Sequence, residues 1–208
     1  MYDLINQFAQ TVVSTIAIKP AHVTDYEWLL QNVGQATQPN YQKKYREYWG
    51  MDAAQLSPAF YTAYFGALNS ARTNMPTLSS LVQALYAASA RKKGQKSLQF
   101  SFSTKLLHMT NQRIPIYDSR IAAFYFFATP ANKTLQRRIN RFASFHSFLI
   151  GEYGRVLQNN LLATAIQEFK RQLNPQHFTD EKIVDSLIWA FVGLLRKGAL
   201  MNRQIFYS

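Results

Sequence analysis

The chain contains no cysteine. That excludes a thiolate metal site, a cysteine nucleophile and a disulfide framework, and it fits a reducing cytoplasm. Proline and glycine are sparse, seven and eight residues in 208, so neither a fibrous nor a low-complexity chain is indicated. The longest apolar run, Leu187 to Leu195, falls far short of the roughly 20 residues that a membrane-spanning helix requires. The N-terminal segment has no basic stretch ahead of its apolar residues, which argues against a secretory signal. A soluble, cytoplasmic protein without a membrane partner is expected. No GxxxxGKS or GxxxxGKT loop and no GxGxxG run occurs, so nucleotide phosphates have no ready cradle. The four histidines, His22, His108, His146 and His177, are far apart and none has a partner at ligand spacing. No metal and no cofactor are expected.

Acidic residues are nearly missing from the middle of the chain. Asp118 is the only carboxylate between Asp52 and Glu152, while twelve Lys and Arg fall in the same window. Outside it the charges nearly balance, eleven basic against ten acidic, so the net charge of +12 is a local feature. An excess of this kind points to a polyanionic partner, with nucleic acid the foremost class. The lone acid is then a helix cap, a structural ion pair or a catalytic carboxylate.

What is present is helical periodicity broken at Gly and Pro. Leu4, Ile5, Phe8, Val12 and Ile16 share one face of a helix expected over Tyr2 to Ala17. Thr24, with Glu27 three residues on, has the capping-box pattern for a second helix. Further helices are expected over Tyr41 to Trp49, from Pro58 to Asn69 behind a Ser57 cap, and from Pro76 to Ala90. Phe100 and Phe102 alternate with Ser101 and Ser103, which suggests a short extended piece. Ser103 or Thr104 then caps a helix carrying Lys105. Pro115 keeps Asn111 to Tyr117 out of a helix, and Asp118 opens the next one. An amphipathic helix from Ala131 to Ile150 is expected to break or bend at Gly151 and Gly154. Two more follow, over Val156 to Leu173 and from Asp180 to Lys197 behind Thr179. The tail after Met201 reads as a strand or an irregular end. The fold class is all-α: one unit over residues 1–208, a two-lobed globule of eight or nine helices, with its cleft near residues 98–127.

Lys105 and Asp118 are the pair with chemical capacity. A lysine in the first turn of a helix, beside Leu106 and Leu107, meets two effects that disfavour its charge, the helix dipole and burial. Such a lysine is a nucleophile or base. The bland readings are a surface lysine and a simple N-cap. Asp180, Glu181 and Asp185 read as structural acids on the first turn of their helix, with Asp185 facing Trp189 one turn on. The run Arg91, Lys92, Lys93, Gly94, Gln95, Lys96 is either a solvated turn or a phosphate-facing loop.

The order of features resembles the helix-hairpin-helix DNA glycosylases, the superfamily that includes the 8-oxoguanine and endonuclease III-like enzymes. A lysine at the start of a helix, a loop ending in proline and an apolar residue, and an aspartate opening the next helix correspond to Lys105, Ile114-Pro115-Ile116-Tyr117 and Asp118. The wording STKLLHM and IPIYDSRI also resembles a group of small bacterial proteins of that fold. Two departures stand out. Gln99 to Thr104 contains no glycine where the family has its hairpin, and no cysteine is available for an iron–sulfur cluster. The resemblance implies that Lys105 attacks C1′ of a damaged nucleotide in double-stranded DNA and forms a Schiff base. Asp118 would orient the nucleophile and stabilise charge on the sugar. It implies a base pocket, for which Tyr117, Phe124, Tyr125 and Trp189 are the candidates, each with a plain reading as core. Arg91, Lys92, Lys93, Lys96, Arg113 and Arg120 would neutralise phosphates, and His108 reads as a packed residue. Three functions stay open: a DNA N-glycosylase with or without lyase activity, a non-catalytic nucleic-acid-binding protein of the same fold, and a protein whose basic face docks an acidic partner.

Overall fold

A computed structural model describes residues 1–88, 96–130 and 134–200. Among the described residues there are eleven α-helices, two 3-10 turns and no β-strand beyond isolated bridge residues at Leu56 and Lys96. The all-α expectation holds, with more and shorter elements than periodicity alone suggested.

The first segment is two helices, α1 (Tyr2–Gln7) and α2 (Ala9–Ala17), hinged at Phe8, whose φ and ψ of −103° and 21° leave the helical region. The next helix, α3 (Ala21–Gln31), starts at Pro20 and not at Thr24. Thr24 is inside it, donating to the Pro20 carbonyl, and Glu27 accepts from the backbone N–H groups of Gln176 and His177. The expected capping box is therefore replaced by a long-range tie. The helix α4 (Pro39–Trp49) ends at Gly50, whose φ of 63° suits glycine, and α5 (Pro58–Ala71) is capped by Ser57 as its sequence indicates. The helix α6 (Leu78–Ala88) is followed by α7 (Phe100–Thr110) and the short α8 (Ser119–Phe124). The extended piece expected near Phe100 is instead the first turn of α7.

The long helix α9 (Leu135–Gln158) runs straight through Gly151 and Gly154. A glycine costs a helix about 1 kcal/mol relative to alanine. On the other side of the balance, Ile139, Phe142, Phe145, Leu149, Tyr153 and Val156 are buried along one face, each side chain contributing about 1.5–3 kcal/mol. Burial wins, and the break falls later, at Asn160, where φ is 54°. The last two helices are α10 (Ala163–Leu173) and α11 (Asp180–Arg196), the latter capped by Thr179. The tail, 201–208, lies outside the described residues.

The buried apolar side chains form two clusters. One joins α1, α2, α8, α9, α10 and α11; the other joins α3, α4, α5 and α6. The two meet on α7. Phe100 belongs to the first cluster, while Phe102, Leu106, Leu107 and Met109 belong to the second. Nine of the eleven residues of α7 are buried, including Ser103, Thr104, Lys105 and His108.

A helix buried all round must satisfy its polar groups internally. Ser103 Oγ donates to the Gln99 carbonyl at 3.1 Å, and the Tyr64 hydroxyl donates to the Phe102 carbonyl at 2.9 Å. His108 Nδ1 sits 2.7 Å from the Ile114 carbonyl, which can only accept, so Nδ1 carries the proton. Nε2 then accepts from the Tyr26 hydroxyl at 2.6 Å. Burial holds the pKa of this imidazole down at about 3, so it is neutral and structural. Thr104 Oγ1 donates to the Ser101 carbonyl and accepts from the Tyr117 backbone N–H, both at 2.9 Å. That second bond clamps the end of the α7–α8 connection onto α7, one residue from Lys105, and places Asp118 directly after the clamp.

Replacing Thr104 by Val keeps the shape but strands the buried Tyr117 N–H. The variant should lose about 1–3 kcal/mol of stability, read as a lower urea midpoint with an unchanged denaturant slope. A midpoint equal to that of the wild type would show that the clamp contributes nothing.

Candidate active site

Between the two clusters lies a cavity of about 290 Å³. The chain reaches it from six helices. α2 contributes Ile16, α3 His22 and Val23, and the end of α4 supplies Glu47, Tyr48, Trp49 and Gly50. Lys105 enters from α7, Ile116 and Asp118 from the connection into α8, Phe169 from α10, and Phe178 from the segment before α11. The remaining wall is one stripe of α11: Lys182, Asp185, Ser186 and Trp189. Lys105 and Asp118, singled out by sequence, share this cavity.

Lys105 is the sixth residue of α7, not a first-turn residue. The helix N-terminus therefore has little effect on it, and burial is the main influence. The side chain is 9% exposed. Its Nζ has one weak hydrogen bond, to the Trp49 carbonyl at 3.5 Å, and lies 5.2 Å from the Trp49 ring centroid and 5.0 Å from that of Phe102. No carboxylate of the described residues stands within 4.0 Å of it. Desolvation lowers its pKa to about 8 from an ordinary 10.5, against the opposing pull of Asp118 and Asp185. The amine is therefore mostly protonated at pH 7, with a minor neutral fraction far above that of an ordinary lysine.

Asp118 is the N-cap of α8. Its Oδ1 accepts from the Arg120 backbone N–H at 2.7 Å, in the extended conformation typical of a cap. The capping and cavity-facing readings are thus both realised by one residue. Its second oxygen makes no hydrogen bond among the described residues.

The charged pair on α11 was not legible as a site. Lys182 Nζ donates to Asp185 Oδ2 at 3.2 Å, and both side chains are buried, 7% and 8% exposed. The Tyr153 hydroxyl donates to the other oxygen, Oδ1, at 3.4 Å. Burial pushes the Asp185 carboxyl above its ordinary range, against the attraction of Lys182. Asp185, read from sequence as a first-turn structural acid, is a wall of the cavity. The missed signal is spacing. Lys182, Asp185 and Trp189 stand at i, i+3 and i+7, one stripe of a helix whose buried residues are otherwise apolar.

Trp189 alone of the four base-pocket candidates lines the cavity. Tyr117 is buried among Phe100, Phe142 and Phe145, and Phe124 packs against Tyr2 and Phe191. Tyr125 is half-buried, its hydroxyl 2.9 Å from that of Tyr2. These three belong to the packing of the first cluster. Trp49, which sequence reasoning passed over, takes a place in the wall. Its ring faces both lysines, with Lys182 Nζ 5.7 Å from the centroid.

Of the expected phosphate contacts, Arg120 is at the site. Its guanidinium stacks on Trp189, 3.8 Å from the ring centroid, and donates to the Trp189 carbonyl at 3.4 Å. Gly193 makes room for it, since a Cβ there would meet Arg120 Nη1 at 2.7 Å. Arg113 is exposed on the α7–α8 connection, and Lys96 is exposed over the Tyr86 ring at 5.7 Å. Arg91, Lys92 and Lys93 lie outside the described residues. Among the described residues no three His, Asp or Glu side chains group as metal ligands, and no helix is long and apolar enough to cross a membrane.

The lowered pKa of Lys105 has a consequence for stability. Between about pH 8 and 10.5 the unfolded chain holds this proton and the folded chain does not, so the lysine's destabilising contribution fades as pH rises through that window. Lys105→Met should therefore be more stable than the wild type below pH 8 in chemical denaturation, and the gap should close as pH rises. A gap that is absent, or independent of pH, would contradict the burial of a strained ammonium.

Comparison of the chain with protein-family models, with curated proteins and with solved structures finds no match.

Proposed function

We propose that the protein is a DNA N-glycosylase that uses Lys105 as its nucleophile and Asp118 as the assisting carboxylate. The observation that carries the reading is the convergence of a buried, unpaired lysine and a cavity-facing aspartate in one enclosed space. The local excess of positive charge adds a polyanionic partner, and the resemblance around Lys105 and Asp118 adds the reaction class. A cavity near 290 Å³ is at the small end of ligand pockets and suits a single extruded base.

In this reading the Lys105 lone pair forms a bond to C1′. The glycosidic C–N bond breaks with its electron pair leaving on the base, which takes up a proton. The attached nitrogen gives up one proton, the C1′–O4′ bond breaks with its electron pair leaving on O4′, which takes up that proton, and the nitrogen lone pair closes the iminium between Nζ and C1′. The Asp118 carboxylate stabilises positive charge on the sugar as the base departs. Trp189 offers aromatic surface to the base, and Arg120, stacked on the Trp189 ring, meets a backbone phosphate.

A second reading is a nucleic-acid-binding protein of the same architecture without turnover. It is favoured by the segment ahead of Lys105, which is helical from Phe100 and holds no glycine hairpin to grip a phosphate.

Borohydride trapping on duplexes carrying an abasic site, uracil or 8-oxoguanine separates the two. The wild type should form a covalent adduct that is lost in Lys105→Gln, with DNA affinity within a few-fold. Lys182→Arg, which keeps a cation on Asp185 but offers no amine for a Schiff base, should still be trapped. Equal trapping by Lys105→Gln would defeat the proposal. Absence of any adduct or base release, with binding whose log–log salt slope is about 0.9 per neutralised phosphate, would establish the second reading. No binding at all would redirect attention to an acidic protein partner.

A further inference from the structure

Lys182 has no part in the chemistry just described, yet it is the second buried amine of the same cavity. Both lysines face the Trp49 indole, at 5.2 and 5.7 Å, and they differ in what holds them. Lys182 is ion-paired to Asp185, whereas Lys105 has no carboxylate within 4.0 Å. We propose that Lys182 is a positioning residue that engages Asp185 so that Asp185 does not pair with Lys105, leaving the Lys105 amine available for attack. This rests on Lys105 being the nucleophile.

The argument is one of competition. Asp185 is buried and fixed by Tyr153, so its charge needs a cationic partner within the cavity. Two amines are at hand, and helix geometry decides between them. Lys182 is one turn before Asp185 on α11, which presents its Nζ to Oδ2 without cost to α7. The other charged or titratable groups around Lys105 are Asp118 from the start of α8, Glu47 and Tyr48 from α4 and His22 from α3, with Arg120 behind Trp189; burial pushes the Tyr48 hydroxyl up, so it stays neutral. Asp118 is held at the cap, and burial together with Lys182, Lys19 and Arg120 keeps His22 below its ordinary range. Asp185 is therefore the carboxylate whose engagement matters. Its charge pulls Lys105 toward the protonated form, and the charge of Lys182 opposes that pull.

The test reads Lys105 directly and needs no nucleic acid. Formaldehyde with cyanoborohydride methylates only the neutral amine, and peptide mass spectrometry reports methylation at Lys105 as a function of pH. The wild-type midpoint is expected near 8. Lys182→Met should raise it by about one pH unit or more, because the freed carboxylate now faces Lys105. Lys182→Arg should retain the wild-type midpoint. Adding Asp185→Asn to Lys182→Met should bring the midpoint back to the wild-type value or below. Asp185→Asn alone, nearly isosteric and retaining the Tyr153 contact, should lower it, and this variant carries the test if Lys182→Met does not fold. A midpoint unmoved by Lys182→Met, or unchanged or raised in Asp185→Asn, overturns the proposal. If the methylation profiles behave as stated while the wild type forms no adduct with DNA, the glycosylase reading fails and the competition between the two lysines stands.

Discussion

Complete burial of α7 is the constraint on which the rest depends. The helix is shared by two apolar clusters, with Phe100 turned to one and Leu106, Leu107 and Met109 to the other. Only Ser101 and Thr110 are partly open to solvent, so the other polar side chains are tied to carbonyls, hydroxyls and backbone N–H groups nearby. Ser103, Thr104 and His108 find full partners. Lys105 finds only a weak one, the Trp49 carbonyl. An ammonium buried with so little compensation is unfavourable, and the protein accommodates it by lowering the affinity of the amine for its proton. A structural demand and a reactive group therefore arise from the same packing.

The hydrogen bonds that stabilise α7 also assemble the site. The Thr104 clamp on Tyr117 N–H delivers Asp118 to the cavity, and the Ile114 carbonyl is held by His108. The loop between the two helices is pinned at both its middle and its end, so the aspartate is positioned by α7 itself. α11 closes the cavity from the other cluster with Lys182, Asp185 and Trp189, and Arg120 from α8 lies on Trp189 across the Gly193 notch. The site is therefore a joint product of both clusters, with Lys105 and Asp118 brought from α7 and the start of α8 to the Lys182–Asp185 pair on α11.

Several expectations drawn from sequence failed for related reasons. Thr24 and Glu27 form a capping pattern locally, but Glu27 is drawn to the Gln176 and His177 backbone, 149 and 150 residues away. Gly151 and Gly154 are breakers locally, but the buried face of α9 outweighs them. Tyr117, Phe124 and Tyr125 lie beside Asp118 in sequence and point into the first cluster, since Asp118 is a cap and the helix it opens turns its aromatic residues inward. In each case a long-range contact overrode a local signal.

The amino-acid sequence by itself determined the helical class, most caps and stops, the local concentration of positive charge, and the placement of Lys105 and Asp118 on either side of a short proline-containing connection. These follow from periodicity, from the rigidity of proline and from the hydrogen-bonding reach of Ser, Thr and Asp, all of which act within a few residues. Only the tertiary structure decided that α7 is buried all round, that Trp49 and the Lys182–Asp185 pair share its cavity, and that one lysine is paired while the other is not. Those outcomes depend on which surfaces meet across long stretches of chain, and burial, not sequence spacing, sets the charge state of the groups that meet there.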